Sequence, residues 1–160
     1  MKDFYHGTTP QIANELHKRK VSLSFGGGEF GKGFYVGSSL RLARRRGFHK
    51  TTDKIGTASE AMNYYGNVFV IKFDETKFSQ YYKPKKLTKD EAVALFRKLS
   101  KKPKTTSSYT VSAQYDYIVG PVVGGRKRYL DVIQYKFDSQ KTEDYLNGHC
   151  QNINLVSEVI

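Results

Sequence analysis

Residues 24–39 read SFGGGEFGKGFYVGSS. Gly26, Gly27, Gly28 and Gly31 crowd the front of this stretch, and Gly33 leads into the aromatic run Phe34-Tyr35-Val36. Glycine surrenders more backbone entropy on folding than any other residue, so a glycine cluster ahead of a strand marks a backbone that must approach something closely. The stretch therefore divides into a glycine loop, residues 21–33, and a short strand, residues 33–37.

Outward from this strand, Ser38 or Ser39 can cap a following helix, LRLARRRGF, with Leu40 and Ala43 on one face and arginines on the others. Upstream, Asp3-Phe4-Tyr5 starts a strand that reaches His6-Gly7-Thr8-Thr9. Thr9 caps a helix over 10–19, with Pro10 in its first turn and Ile12, Ala13 and Leu16 at helical spacing. Residues 51–66 read ambiguously, and NVFVIKFD at 67–74 is a strand. The capping box from Thr88 to Glu91 opens a helix whose Ala92, Leu95, Phe96 and Leu99 form an apolar stripe. A basic linker at 101–108 precedes a strand in YDYIVGPVVGG, stopped by Gly120-Pro121. Short helices are predicted over 128–136 and 139–147, and a last strand over about 149–156. The order of elements predicts an α+β domain of short strands spanning residues 1–160, without a regular βαβ array.

The bulk composition bounds the setting. Lys and Arg number 27 against 15 Asp and Glu, a net charge of +12 that calls for a polyanionic partner. Twelve tyrosines and ten phenylalanines exclude a disordered chain. A single cysteine, Cys150, excludes an internal disulfide and a cysteine-rich zinc site. No apolar run approaches the ~20 residues of a membrane span, and the N-terminus lacks a signal-peptide core, so a cytoplasmic setting is expected.

Several chemistries lack their signatures. There is no P-loop and no serine nucleophile elbow. GGGEFG lacks the long strand and helix opening of a dinucleotide fingerprint. His6, His17, His49 and His149 are scattered, so no metal is expected.

Tyr5-His6-Gly7-Thr8 followed by Gly31-Lys32-Gly33-Phe34-Tyr35-Val36 resembles the ADP-ribosyltransferase superfamily, in its histidine–tyrosine branch of diphtheria-type toxins and poly-ADP-ribose polymerases. More narrowly, FGKGFYVGSS, YDYIVGPV and the late GHCQNINLV resemble, in order over nearly the whole chain, a small bacterial family that runs roughly as YHG(S/T), (D/E)FGKGFY, DxxxGPV and a final QxxF strand. The resemblance implies a split, two-sheet fold with an NAD cleft between short sheets and short helices around it. It implies NAD as co-substrate, bound by His6, Gly7, Thr8, Gly31, Gly33, Phe34, Tyr35 and Phe48. His6 would contact the adenosine ribose, and Gly7 would offer backbone bonds to the nicotinamide amide. Tyr35 would stack on the nicotinamide ring, a role that needs the ring and not its hydroxyl.

Two departures stand out. The third catalytic position is usually glutamate; here the matching residue is read as Gln151, which can bond a ribose hydroxyl but cannot act as a base. Glu29, Glu60, Glu143 and Glu158 are the fallback carboxylates. Where polymerase-type relatives carry a second aromatic that closes a nicotinamide sandwich, this chain has Arg46, and Phe48 substitutes only if the helix ends at Gly47. Transfer of a single ADP-ribose is therefore expected, with His6, Tyr35 and Gln151 as the catalytic set.

Basic residues interleaved with tyrosines suit single-stranded nucleic acid, with phosphates held by charge and bases stacked on rings. Arg41, Arg44, Arg45, Arg46 and Lys50 follow the NAD strand and are expected to hold the acceptor, RNA slightly ahead of DNA. Further runs are Lys83, Lys85 and Lys86 beside Tyr81 and Tyr82; Lys98, Lys101, Lys102 and Lys104; and Arg126, Lys127 and Arg128 beside Tyr129. The resemblance adds a toxin or defence effector, held by an antitoxin protein. Modification of protein, NAD hydrolysis, and a non-enzymatic basic RNA-binding domain are the alternatives.

Overall fold

The computed structural model describes residues 2–18, 20–55, 68–101, 114–124 and 129–148. Strand β1 (Lys2–Gly7) leads to helix α1 (Pro10–His17), where the Thr9 side chain accepts from the Ile12 amide and Pro10 occupies the first turn. A 3-10 turn (Leu23–Phe25) enters a ribbon of β2 (Gly27–Gly28) and β3 (Gly31–Lys32), then β4 (Phe34–Gly37). Helix α2 (Leu40–Ile55) follows, with Ser39 Oγ accepting from the Leu42 amide. The remaining elements are β5 (Val68–Phe73), α3 (Glu75–Tyr81), β6 (Pro84–Lys86), α4 (Lys89–Ser100), β7 (Tyr117–Pro121), β8 (Ile133–Phe137) and α5 (Gln140–Gly148). The capping box between Thr88 and Glu91 forms as its spacing predicts. No helix among the described residues is long and apolar enough to cross a membrane.

Among the described residues, six strands form one sheet in the order β5-β1-β4-β8-β7-β6, antiparallel except for the β6–β7 pair. The chain is thus α+β. Beside this six-stranded sheet stands the two-stranded β2–β3 ribbon. The joint within the large sheet is narrow. β1 pairs with β5 along its whole length, but with β4 only at Tyr5 and Gly37. Beyond that pair the two strands part, and the His6 ring reaches the Tyr35 carbonyl that a backbone ladder would otherwise satisfy.

The two faces of the sheet are dressed differently. Phe4, Phe34, Val36, Tyr117, Tyr135 and Phe137 share a core with Leu16 of α1, Phe78 of α3 and Leu146 of α5. The opposite face carries Tyr35 and Ile118, which pack with Phe30 and Ala92 of α4. At the β1 end of this second face lies α2. A Cβ on Gly7 would overlap the Ala43 carbonyl and lie 3.0 Å from the Gly47 amide nitrogen, so β1 and α2 touch backbone to backbone. That contact explains why α2 does not end at Gly47. A buried glycine in mid-helix costs roughly 1 kcal/mol in propensity, which the close packing offsets.

One expectation fails for a physical reason. A helix is predicted over 128–136, but residues 133–137 form β8. Ile133, Tyr135 and Phe137 alternate at strand period, while the intervening Gln134 and Lys136 are buried polar residues that obscure the pattern. The strand from Tyr117 ends at Pro121, at the Gly120-Pro121 stop that the sequence predicts. The predicted last strand at 149–156 lies outside the described residues.

Candidate active site

A cavity of about 480 Å³ opens on the second face, between α2 and the connection from β7 to β8. Its floor comes from the parted strands: Tyr5, His6 and Gly7 of β1 and Tyr35, Val36 and Gly37 of β4, joined by Gln134 of β8. The register puts a glycine on both strands flanking Gln134, Gly37 on β4 and Gly120 on β7. One wall is a stripe of α2, Leu42, Arg45, Arg46, His49, Lys50 and Asp53, at helical spacing. The facing walls are Gly26, Gly27 and Glu29 of the glycine loop and Val122, Gly124 and Tyr129 beyond β7.

His6 is buried, stacked on Phe34 with ring centroids 4.4 Å apart, and its Nδ1 lies 2.5 Å from the Tyr35 carbonyl oxygen. A carbonyl only accepts, so Nδ1 carries the proton and Nε2 is left as an acceptor. Desolvation, reinforced by the positive charges of Lys50 and Arg46, pulls the His6 pKa from the usual 6.5 to about 3 against the opposing bond to Tyr35. The imidazole is therefore neutral at pH 7. Between pH 6.5 and 3 the unfolded chain takes up a proton that the native one refuses. Stability is full above pH 6.5 and falls on acidification, with a limiting slope of about 1.4 kcal/mol per pH unit from this group. Urea midpoints between pH 4.5 and 7.5 should show that slope, and His6→Gln should remove it. An equal slope in both proteins would assign the acid sensitivity elsewhere.

Tyr35 is held by its hydroxyl. Tyr35 Oη donates to the Gly31 carbonyl at 2.6 Å and accepts from the Phe30 amide at 3.1 Å, and desolvation raises its pKa. The glycine loop closes on this ring: a Cβ on Gly28 would sit 2.7 Å from Tyr35 Cζ. At Gly28 the close approach is thus to the chain's own tyrosine, and at Gly26 it is to the Gly33 carbonyl, whose oxygen a Cβ there would overlap. The hydroxyl thus has a structural use in holding the loop, separate from the stacking role expected of the ring. Tyr35→Phe leaves two buried loop groups without their partner and should cost about 1–3 kcal/mol. Chemical denaturation measures this; an unchanged midpoint would mean that water replaces the hydroxyl.

Gln134, 4% exposed, is the residue that the sequence reading passed over. Its Nε2 donates to Glu29 Oε2 at 2.9 Å and to the Pro121 carbonyl at 3.2 Å. Both partners only accept, so the amide orientation is decided and Oε1 is the end left to accept from a ligand. The signal was present: Gln134-Tyr135-Lys136-Phe137 meets QxxF literally, whereas Gln151-Asn152-Ile153-Asn154 does not. Gln151 itself lies outside the described residues, as do Glu60 and Glu158.

Glu29 also accepts from the amides of Val123 at 2.7 Å and Gly124 at 2.6 Å, which clamps the glycine loop to the β7–β8 connection. Glu143 is occupied with the Leu23 amide, away from the cavity. The carboxylate that sequence reading missed is Asp53, on the cavity stripe of α2.

The arginine run is sorted by helix geometry. Arg45, Arg46 and Lys50 line the cavity, while Arg41 and Arg44 lie outside its lining. Because α2 continues through Gly47, Phe48 stays on the helix and also outside the lining, and so closes no sandwich. Arg46 takes that place: its guanidinium carbon lies 5.7 Å from the Tyr35 ring centroid. Thr8, Gly31, Gly33 and Phe34 lie behind the cavity lining; Gly31 and Phe34 act on it through Tyr35 and His6. Lys83 and Lys85 sit 5.4 and 6.0 Å from the Tyr115 ring at the far, β6 edge of the sheet. Residues 125–128 lie outside the described residues. Among the described residues no group of three or more His, Cys, Asp or Glu is placed to hold a metal ion.

Comparison of the chain with protein-family models, with curated proteins and with solved structures returns no match.

Proposed function

We propose that this chain is an NAD-dependent mono-ADP-ribosyltransferase whose acceptor is a nucleic acid. The observation that carries the proposal is the pairing of two neutral acceptors, His6 and Gln134, across parted strands, beneath a row of cations on α2. Neutral acceptors suit sugar hydroxyls, and arginines suit phosphates. The donor set therefore fits a dinucleotide better than an apolar or metal-bound ligand.

When bound, NAD supplies a ribose carbon bonded to a good leaving group, nicotinamide. The chain's own residues orient and shield. His6 Nε2 accepts from one ribose hydroxyl and Gln134 Oε1 from another. Glu29 holds the Gln134 amide in place, and its own charge is shared among three donors. Asp53 supplies the carboxylate that Gln134 cannot, and would take the proton from an acceptor hydroxyl or amine. The burial of Tyr35 and its two loop bonds favour a second reading, in which this residue is core and the chain only binds RNA.

Radiolabelled NAD, incubated with total RNA, single-stranded DNA or protein and followed by nuclease or protease digestion, separates these readings. Label that survives protease and is released by nuclease is expected. Label on protein alone would remove the nucleic-acid acceptor, and no label with intact RNA binding would leave the non-enzymatic reading. Acceptor binding should weaken with salt by about 0.7 log units per log unit of salt for each phosphate contact. Arg41→Glu should flatten that slope by about 1 unit and spare NAD binding, since this exposed residue lies outside the cavity lining. Loss of NAD binding in this variant would erase the division of α2 into two faces.

A further inference from the structure

Arg46 reaches across the cavity rim and donates from Nη2 to the Gly27 carbonyl at 2.8 Å. Arg45, beside it, donates from Nη1 to Tyr129 Oη at 2.9 Å. Both partners are neutral. Among the described residues no carboxylate pairs with either arginine, although Asp53 lines the same cavity and Glu29 is saturated by its own donors. Arg45 also donates from Nε to His49 Nε2 at 3.5 Å, so the two adjacent guanidiniums are tied to a backbone carbonyl, a phenol and an imidazole, and are poised for stronger acceptors. Phosphate oxygens provide them, through charge-assisted and bidentate bonds roughly twice as strong as neutral ones.

The tie made by Arg46 also covers Tyr35. Its guanidinium lies over the ring, and Gly27, which it holds, is followed by Gly28, packed against the same ring. A flat ligand ring cannot stack on that surface while Arg46 remains there.

We propose that Arg46 is a phosphate-operated latch: a diphosphate at Arg45 and Arg46 draws the Arg46 guanidinium off Gly27 and Tyr35, and so uncovers the ring for a flat group of the same ligand. The latch rests on the dinucleotide reading of the cavity and makes the site selective. A molecule carrying both a diphosphate and a flat ring opens the site for itself, whereas a nucleoside with the same ring but no phosphate meets a closed surface. Arg46 is here a specificity-determining and positioning residue, not a catalytic one.

The test uses protein labelled with 3-fluorotyrosine, in which the Tyr35 resonance is the one missing from Tyr35→Phe. Inorganic pyrophosphate should shift the Tyr35 resonance of the unmodified sequence. In Arg46→Gln the resonance should already stand apart from its wild-type position, and pyrophosphate should leave it there. Nicotinamide riboside should bind Arg46→Gln about tenfold more tightly than the unmodified protein, because a cation–π contact no longer has to be displaced. A residue that merely binds phosphate would leave riboside affinity unchanged. A Tyr35 signal that ignores pyrophosphate, or that still responds in Arg46→Gln, overturns the latch, as does riboside affinity that is unchanged or absent in both proteins. NAD binding with a silent Tyr35 would sink the latch and keep the transferase reading. A responsive Tyr35 with tighter riboside binding and no turnover of NAD would keep the latch and sink the transferase reading.

Discussion

Gln134→Ala should lower ADP-ribose transfer by about 100-fold, the scale expected for one preorganised hydrogen-bonding group at a reacting centre. The fold should survive. Glu29 keeps its bonds to Val123 and Gly124, and the Pro121 carbonyl is the buried group left without a side-chain partner, a loss of about 1–2 kcal/mol. Thermal melting separates the two effects: activity should collapse while the cooperative transition persists. Gln134→Glu is the sharper variant. It sets a carboxylate where Nε2 lies 2.9 Å from Glu29, so two acceptors meet where a donor is needed. Such a pair shares one proton in acid and repels when both ionise, which raises the folded pKa. The variant should therefore be more stable below that pKa and lose stability as pH rises through it. Full transfer in Gln134→Ala would return the role to Gln151, whose alanine variant otherwise should stay active.

Gly7→Ala should be the most damaging single methyl group in the described structure. The new Cβ would meet the Ala43 carbonyl and the Gly47 amide, both backbone atoms in mid-helix, so no rotamer change can relieve the clash. Overpacking of this kind costs about 3 kcal/mol, a large share of a small domain's stability. The change also pushes α2 outward and moves Arg45, Arg46 and Lys50 away from the cavity floor. A protein that melts well below the unmodified one, with NAD binding lost in parallel, is the expected result. Normal melting with normal binding would mean that β1 and α2 do not pack backbone to backbone. Ala43→Gly in the same chain offers no rescue, because the clash is with the carbonyl and not the methyl.

The sequence by itself determined the elements whose signals are local. Thr9-Pro10, the Thr88 capping box, the helix after Ser39 and the aromatic strand at Phe34 each depend on atoms within a turn or two of one another. The resemblance carried by two short motifs implied one site for His6 and Tyr35, and the structure brings His6 Nδ1 to the Tyr35 carbonyl. Only the tertiary structure decided what depends on strand register and on where a helix stops. The side chain of Gln134 gains its meaning from Gly37 and Gly120 on neighbouring strands, far off in sequence. The hydroxyl of Tyr35 is spent on loop groups that no periodicity reveals. The arginine run looks like one patch on paper, but α2 continues through Gly47 because β1 packs against it there. A helix advances about 100° per residue, so Arg45 and Arg46 line the cavity while Arg41 and Arg44 do not, and the continuation through Gly47 adds Lys50 to the lining and leaves Phe48 outside it.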